Sequence, residues 1–142
     1  MKQHELIYSI DTIDEVARDI AQVMATCKVI TFTGALGAGK TTLIQALLRD
    51  YGIYDDIQSP TFAYFNTYAN ARGQTFYHFD LYRMKSAHEF FDMGFHEYLD
   101  IPNSWALIEW PEIIMPHLKH AVCHIAVDYH GFERRRLRYY ML

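Results

Sequence analysis

One short string constrains the fold more than any other part of the sequence. Residues 34–41 read Gly-Ala-Leu-Gly-Ala-Gly-Lys-Thr and match the pattern G-x-x-x-x-G-K-[ST]. A β-branched and aromatic run at 28–33 precedes the string, and apolar residues at helical spacing follow it. In this pattern, glycines let backbone N–H groups surround phosphate oxygens, while the lysine and threonine contact the phosphates and their metal ion. The string therefore predicts a strand, a phosphate-binding loop and a helix that bind a nucleoside triphosphate with Mg²⁺.

Composition limits the classes of protein to which this chain can belong. The chain has 142 residues, 51% of them hydrophobic, which is the size and apolar content of a single domain over residues 1–142. No apolar run approaches the ~18 residues that a membrane span needs, so we expect a cytoplasmic protein without membrane contact. A formal net charge of −4 argues against binding nucleic acid by general phosphate neutralisation. Any connection with RNA would then run through a partner.

Two capping-box pairs mark predicted helix starts. Thr12 and Glu15 precede apolar residues at helical intervals and predict a helix over residues 13–25. Ser86 and Glu89 have the same spacing and predict a shorter helix. In such a box, the first side chain accepts a hydrogen bond from a backbone N–H of the first helical turn, which stabilises the start of the helix.

Strand-like runs predict a three-layer α/β fold with a mixed sheet. The run before the phosphate loop belongs to a parallel core, as does a run at 104–109. Two pairs of runs flank turn-forming residues and predict antiparallel hairpins: 64–68 with 75–80, and 121–128 with 134–141. Helices would cover both faces of this sheet, with a parallel core and antiparallel hairpins.

Two carboxylates come directly after predicted strands. Asp80 ends the run 75–80, and Glu109 ends the run 104–109. Ligands of parallel α/β sheets gather at the carboxyl ends of the strands. Phosphoryl transfer to water also needs acidic groups that hold Mg²⁺ through water and orient the attacking oxygen. We therefore predict that both carboxylates serve the triphosphate; a helix cap or an exposed acid is the alternative for each.

Two further segments could contact the nucleotide. The string Ser-Pro-Thr-Phe at 59–62 follows the phosphate-loop helix, and the Thr61 hydroxyl could reach the γ-phosphate or its metal ion. An ordinary turn is the alternative interpretation. Arginines occupy positions 134, 135, 136 and 138 of the last predicted strand, where alternation separates Arg135 from the others. We expect a solvated edge face there, with contact to nucleotide or RNA phosphate as the alternative.

Several strings together resemble the TsaE (YjeE) family of bacterial P-loop ATPases, which supports formation of threonylcarbamoyladenosine in tRNA. The resemblance covers most of the chain. The strings that carry it are residues 34–42, Ser-Pro-Thr-Phe at 59–62, Tyr-His-Phe-Asp-Leu-Tyr-Arg at 77–83, the segment 89–94, and Leu-Ile-Glu-Trp-Pro-Glu at 107–112. The phosphate loop is generic, whereas the strings around Asp80 and Glu109 are specific in combination.

The resemblance implies a single P-loop ATPase domain that binds ATP and Mg²⁺ and hydrolyses ATP weakly. Lys40, Asp80 and Glu109 would be catalytic. Thr41 and Glu109 would hold Mg²⁺, with Asp80 acting through water. The implied nucleotide contacts are Gly37, Ala38, Gly39, Lys40, Thr41, Thr42, Thr61, Trp110, Thr12 near the adenine, and an arginine of the last strand such as Arg134.

The same resemblance implies partners, namely the TsaD and TsaB proteins, whose complex would be reset by the ATP cycle. The tRNA would be reached only through that complex. Two other classes remain open from the residues: a small-molecule P-loop kinase, which shares the strand, loop and helix, and a nucleotide-gated binding module with negligible turnover. A GTPase is disfavoured because the guanine-reading string Asn-Lys-x-Asp does not occur.

Overall fold

The computed structural model describes residues 2–60 and 63–142. Among the helices of these residues, none has the length and apolar content needed to cross a membrane. The elements follow in this order: β1 (His4–Ser9), α1 (Ile13–Met24), β2 (Val29–Thr33), α2 (Lys40–Asp50), β3 (Phe65–Ala69), β4 (Thr75–Asp80), α3 (Ala87–Asp92), a 3₁₀ helix (Phe95–Leu99), β5 (Ser104–Glu109), a second 3₁₀ helix (Met115–His117), β6 (Val122–His130) and β7 (Arg134–Met141).

Within the described residues, the strands form a seven-stranded sheet in the order β1-β7-β6-β2-β5-β4-β3. Strands β6, β2, β5 and β4 run parallel to one another at its centre. The pairs β3–β4, β6–β7 and β1–β7 are antiparallel. The predicted mixed sheet, with a parallel core and antiparallel hairpins, is therefore confirmed.

Two hydrophobic cores lie on opposite faces of the sheet, which makes the fold three-layered. Alternating residues of β2 divide between them, because successive side chains of a strand point to opposite faces. Ile30 and Phe32 pack with α1 and α2, whereas Val29 packs with α3 and the first 3₁₀ helix. The phosphate-loop helix α2 is thereby fixed against one face, directly behind the loop that follows β2.

The two predicted capping boxes have different outcomes. Ser86 Oγ accepts a hydrogen bond from the Glu89 N–H at 3.3 Å, as predicted. Thr12 precedes α1, but its side chain makes no cap to the helix. Instead, Thr12 Oγ1 accepts a hydrogen bond from the Ser9 N–H at 3.0 Å, so the hydroxyl closes the turn after β1. The capping interpretation was wrong for Thr12 because a turn N–H competes for the same oxygen.

The expectation that the arginine-rich strand is an edge strand was also wrong. Strand β7 lies between β1 and β6 and pairs with both. Its Arg136 contacts Glu5 at 2.9 Å, and its Arg138 contacts Asp128 at 2.6 Å. Local sequence could not predict this position, because an antiparallel β1 closes over β7 from the opposite end of the chain.

Candidate functional site

The glycine-rich loop after β2 has a backbone that requires glycine at several positions. Gly34, Gly37 and Gly39 have φ values of 144°, 80° and 104°, which L side chains rarely adopt. A Cβ atom on Gly34 would lie 2.3 Å from the Val127 carbonyl oxygen, so β6 backs directly onto the loop. Gly39 precedes the first residue of α2, Lys40. The loop therefore leads into the N-terminus of a helix, where partial positive charge favours an anion.

Both predicted carboxylates lie beside this loop. Asp80 is the last residue of β4, Glu109 is the last residue of β5, and the two are register partners across the parallel pair. Because β5 also pairs with β2, the two carboxylates and the loop meet at one edge of the sheet. They border a cleft of about 430 Å³. Its lining residues are Leu36, Gly37, Gly39, Lys40, Thr41, Thr42, Ser59, Asp80, Tyr82, Glu109 and Trp110.

Glu109 is buried, with 3% exposure, and is held by two side chains. The Thr41 hydroxyl donates toward both of its oxygens, at 2.9 Å from Oε1 and 3.0 Å from Oε2. His78 Nε2 lies 2.6 Å from Oε2 and is itself fully buried. His78 was not predicted as a site residue. Alternation along β4 was the available signal, since it places His78 on the same face as Asp80.

Asp80 is buried beside Glu109 and is also hydrogen-bonded at both oxygens. The Tyr82 N–H donates to Oδ1 at 2.9 Å, and the Ser59 hydroxyl donates to Oδ2. Ser59 thus brings the segment after α2 to the cleft. Thr61, the residue predicted from that segment to contact the nucleotide, lies outside the described residues.

Lys40 is held inside the loop and is only 5% exposed. Its Nζ donates to the carbonyl oxygens of Gly34 and Ala35 and lies 3.8 Å from the centroid of the Trp110 ring. Burial lowers the pKa of this ammonium, and the negative charges of Glu109, Glu112 and Asp80 oppose that effect. Trp110 is therefore placed against the loop cation, as the family resemblance implied for a residue beside the site.

A second cleft, of about 210 Å³, lies on the other side of the loop. It shares Gly37, Gly39 and Thr42 with the first cleft. Its remaining lining residues are Tyr8, Ile10, Ile13, Phe132, Glu133 and Arg135. Burial raises the pKa of Tyr8 to about 12, and the positive charge of Arg135 opposes that shift. Thr12 does not line this cleft, although the nearby Ile10 and Ile13 do. The apolar walls suit a flat ring.

The structure brings Arg135, and not Arg134, to the phosphate loop. Arg135 Nε donates to the Ala38 carbonyl at 2.9 Å, and its guanidinium carbon lies 4.4 Å from the centroid of the Tyr129 ring. Arg134 is exposed and lines neither cleft. The predicted separation of Arg135 from Arg134 by alternation is correct. The family resemblance implied a nucleotide contact through an arginine such as Arg134, whereas the arginine that faces the loop is Arg135.

The strand, glycine-rich loop and helix, with carboxylates at the ends of neighbouring parallel strands, define a P-loop NTPase-like fold. The crystal structure of Bacillus subtilis YdiB has this architecture, with a TM-score of 0.75 and 26% identity over 97% of this chain and 84% of that one. A sequence profile of the family described as "Threonylcarbamoyl adenosine biosynthesis protein TsaE" matches residues 7–137. The chain belongs to this TsaE family, so the family resemblance is confirmed.

Relatives named tRNA threonylcarbamoyladenosine biosynthesis protein TsaE occur in several bacteria. The Rickettsia felis protein is 39% identical over 101 residues, which are 70% of this chain and 57% of the relative. The Haemophilus influenzae protein is 37% identical over 105 residues, 74% of this chain and 65% of the relative. The chain thus spans less than two thirds of the length of these two relatives. A Treponema pallidum relative is 34% identical, and 71% of its length is covered.

Proposed function

We propose that this protein binds ATP with Mg²⁺ and hydrolyses the ATP slowly, as an accessory subunit of the machinery that installs threonylcarbamoyl on adenosine of tRNA. The observation that carries the proposal is the contact between Thr41 and Glu109. It joins the first turn of the phosphate-loop helix to a strand-end carboxylate within one cleft. A binding loop alone would not need this second group, whereas hydrolysis needs a carboxylate near the metal ion and the γ-phosphate.

The donor set of the cleft fits Mg²⁺. Magnesium prefers oxygen ligands, keeps several waters and is bound by one or two protein oxygens together with substrate phosphates. Because the Thr41 hydroxyl donates its hydrogen bond to Glu109, its oxygen keeps lone pairs for a metal. Within residues 2–60 and 63–142, no group of three or more His, Cys, Asp or Glu forms a metal site of its own. Thr41 and Glu109 would hold the ion, Asp80 would act through water, and the bound ion would neutralise phosphate charge.

Other side chains of the cleft also have roles in this proposal. Lys40 would exchange its loop carbonyl partners for the β- and γ-phosphates, which are stronger acceptors for a buried ammonium. Asp80 or Glu109 would accept the proton of the water whose oxygen attacks the γ-phosphorus as the bond to the leaving ADP oxygen breaks. Trp110 covers Lys40 and would limit the access of bulk water to the phosphates.

The second cleft is the proposed site of the base. It shares its floor with the phosphate cleft, and its walls include Ile10, Ile13 and Phe132. Arg135 lies at its boundary with the loop and would face the phosphates nearest the ribose. By the family resemblance the base is adenine and Thr12 lies near it.

The proposed partners are TsaD and TsaB. We infer that ATP binding and turnover reset their complex after transfer to tRNA, and that the tRNA touches the partners and not this chain. The net charge of −4 supports an indirect contact with RNA. Work within this pathway would place the protein in the cytoplasm.

Measurement of ATP turnover with and without TsaD and TsaB tests the proposal. We expect the partners to stimulate phosphate release and Lys40→Ala or Asp80→Ala to lower the stimulated rate by about 100-fold or more, because each removes transition-state charge stabilisation or water orientation. Lys119→Ala and Asp55→Ala, which change exposed residues of the same types, are the matched controls. Unchanged turnover in the two site variants would overturn the proposal, and transfer of phosphate to a small acceptor would indicate a kinase.

A further inference from the structure

His78 supports the site from behind without lining the cleft. It lies in β4, two residues before Asp80, and its side chain has no exposure. Its strand partner in the register is Leu107, so Glu109 lies diagonally across from it on β5. Side chains in this diagonal relation are within reach of each other. The distance of 2.6 Å from His78 Nε2 to Glu109 Oε2 is that of a strong hydrogen bond.

The other ring nitrogen of His78 lowers the stability of the core in which the residue is buried. Its Nδ1 is buried and has no hydrogen-bond partner within the described part of the chain. A buried polar atom without a partner destabilises a fold, and an apolar side chain of similar size would avoid that cost. In return, the imidazole gains one hydrogen bond among the described residues, the one to Glu109. Function at Glu109 therefore explains the histidine better than packing does.

The two partners of Glu109 restrain it in different ways. The Thr41 hydroxyl is almost equidistant from the two carboxylate oxygens, so it does not distinguish them. His78 contacts Oε2 alone. The imidazole thus selects Oε2 and leaves Oε1 with the Thr41 hydroxyl as its hydrogen-bond partner, so Oε1 would be the oxygen that meets a metal-bound water.

We propose that His78 is a positioning residue that donates its Nε2–H to Glu109 and thereby fixes the carboxylate for Mg²⁺. This inference rests on the proposed function and deepens it. It requires a proton on Nε2, because Glu109 Oε2 is an acceptor. It also predicts that Mg²⁺ binding depends on the N–H donor of the side chain and not on the imidazole ring.

Two variants separate the donor from the bulk of the side chain. His78→Leu removes the N–H but keeps an apolar side chain, whereas His78→Gln retains an N–H at the end of a side chain of similar reach. We expect His78→Leu to raise the Mg²⁺ concentration for half-maximal ATP binding by about 10- to 100-fold, the usual effect of losing a partner of a metal ligand. His78→Gln should bring this Mg²⁺ concentration most of the way back to the wild-type value. Nucleotide affinity without Mg²⁺ should stay within about twofold in both variants, since Lys40 and the loop are unchanged.

Titration calorimetry with ATP at several Mg²⁺ concentrations measures these changes, and His124→Leu, at a buried histidine outside both clefts, is the matched control. The ¹⁵N spectrum of the ligand-free wild-type protein tests the tautomer independently and should place the His78 proton on Nε2. A proton on Nδ1 alone, wild-type Mg²⁺ dependence in His78→Leu, or equal loss in folded His78→Gln and His78→Leu would each overturn the inference. Absence of Mg²⁺-dependent binding in the wild-type protein would instead overturn the proposed function.

Discussion

The Thr41 hydroxyl lies 2.9 Å from Oε1 and 3.0 Å from Oε2 of Glu109, although the two residues are 68 positions apart in the chain. One proton serves a bifurcated contact, and the carboxylate is thereby drawn to the first turn of α2. The same hydroxyl oxygen remains available as an acceptor or metal ligand. The pair therefore links the phosphate loop to the central strand β5.

The Thr41 hydroxyl can be removed with little change in shape. We expect Thr41→Val to weaken Mg²⁺-dependent nucleotide binding by about 10- to 100-fold, because the metal loses a ligand and Glu109 loses a partner. Thr41→Ser should recover most of the affinity, since it restores the oxygen. Calorimetric titration of ADP with and without Mg²⁺ makes the comparison, and Thr67→Val on the exposed side of β3 is the control. Equal affinities for Thr41→Val and the wild type would contradict a metal role.

Arg135 should contribute to nucleotide affinity, and its neighbour Arg134 should not. Arg135→Ala removes the positive charge that would face the phosphates, an interaction worth about 2 kcal/mol. The Ala38 carbonyl and the Tyr129 ring hold this guanidinium at the loop. We therefore expect nucleotide binding to weaken by about 5- to 30-fold, with partial recovery in Arg135→Lys. Arg134→Ala, one position away and exposed, should bind as the wild type does. Equal losses in the two alanine variants would mean that general charge, and not the loop contact, sets the affinity.

Gly34 should be the most restrictive glycine of the loop. A Cβ atom there would lie 2.3 Å from the Val127 carbonyl oxygen, and the φ of 144° is itself unfavourable for alanine. Strain and overpacking together should lower the free energy of unfolding by about 3 kcal/mol or more in Gly34→Ala. Gly131→Ala has open space around it and a φ of 74°, so its cost should be only about 1–2 kcal/mol. Urea denaturation compares the two, and similar costs would show that the contact with β6 relaxes.

His124 should make the stability of the fold depend on pH. The residue is buried in β6 with its Nδ1 2.5 Å from the Thr31 hydroxyl, and burial lowers its pKa. Below about pH 6.5 the unfolded chain therefore takes up a proton that the folded chain resists, so the free energy of unfolding falls as the pH falls. Above that pH the imidazole is neutral in the unfolded chain as well, and the fold keeps its full stability with respect to His124.

Denaturant unfolding at pH 7.5 and pH 5.5 measures this effect. His124→Gln keeps a polar side chain at the position but does not titrate, so the difference in unfolding free energy between the two pH values should shrink. The contribution of His124 to the fall in unfolding free energy should not exceed about 1.4 kcal/mol per pH unit, the limit for one proton. His88→Gln, at an exposed histidine, is the control. An unchanged pH dependence in His124→Gln would assign the effect to other groups.

The positions of Asp80 and Glu109 could be predicted because each ends an apolar run, and strand ends are visible in local sequence. The register pairing of these two residues could not be predicted, since the β4–β5 pairing depends on a crossover through α3. Sheet order also explains why Arg135 and His78 were not predicted as site residues. Alternation distinguished Arg135 from Arg134, but only the place of β7 beside β6 decides which of them meets the loop. His78 was missed because its partner Glu109 lies on another strand.

The phosphate loop near the start of the chain takes its walls from segments that follow much later. Gly34 lies against Val127, Ala38 accepts a hydrogen bond from Arg135, and Thr41 contacts Glu109. During synthesis the N-terminal segments leave the ribosome first, so the loop and α2 emerge well before these partners do. A nascent chain at that stage carries the glycine-rich string without its carboxylate, its arginine or the strand behind it. We therefore expect full nucleotide affinity only after β5, β6 and β7 have joined the sheet.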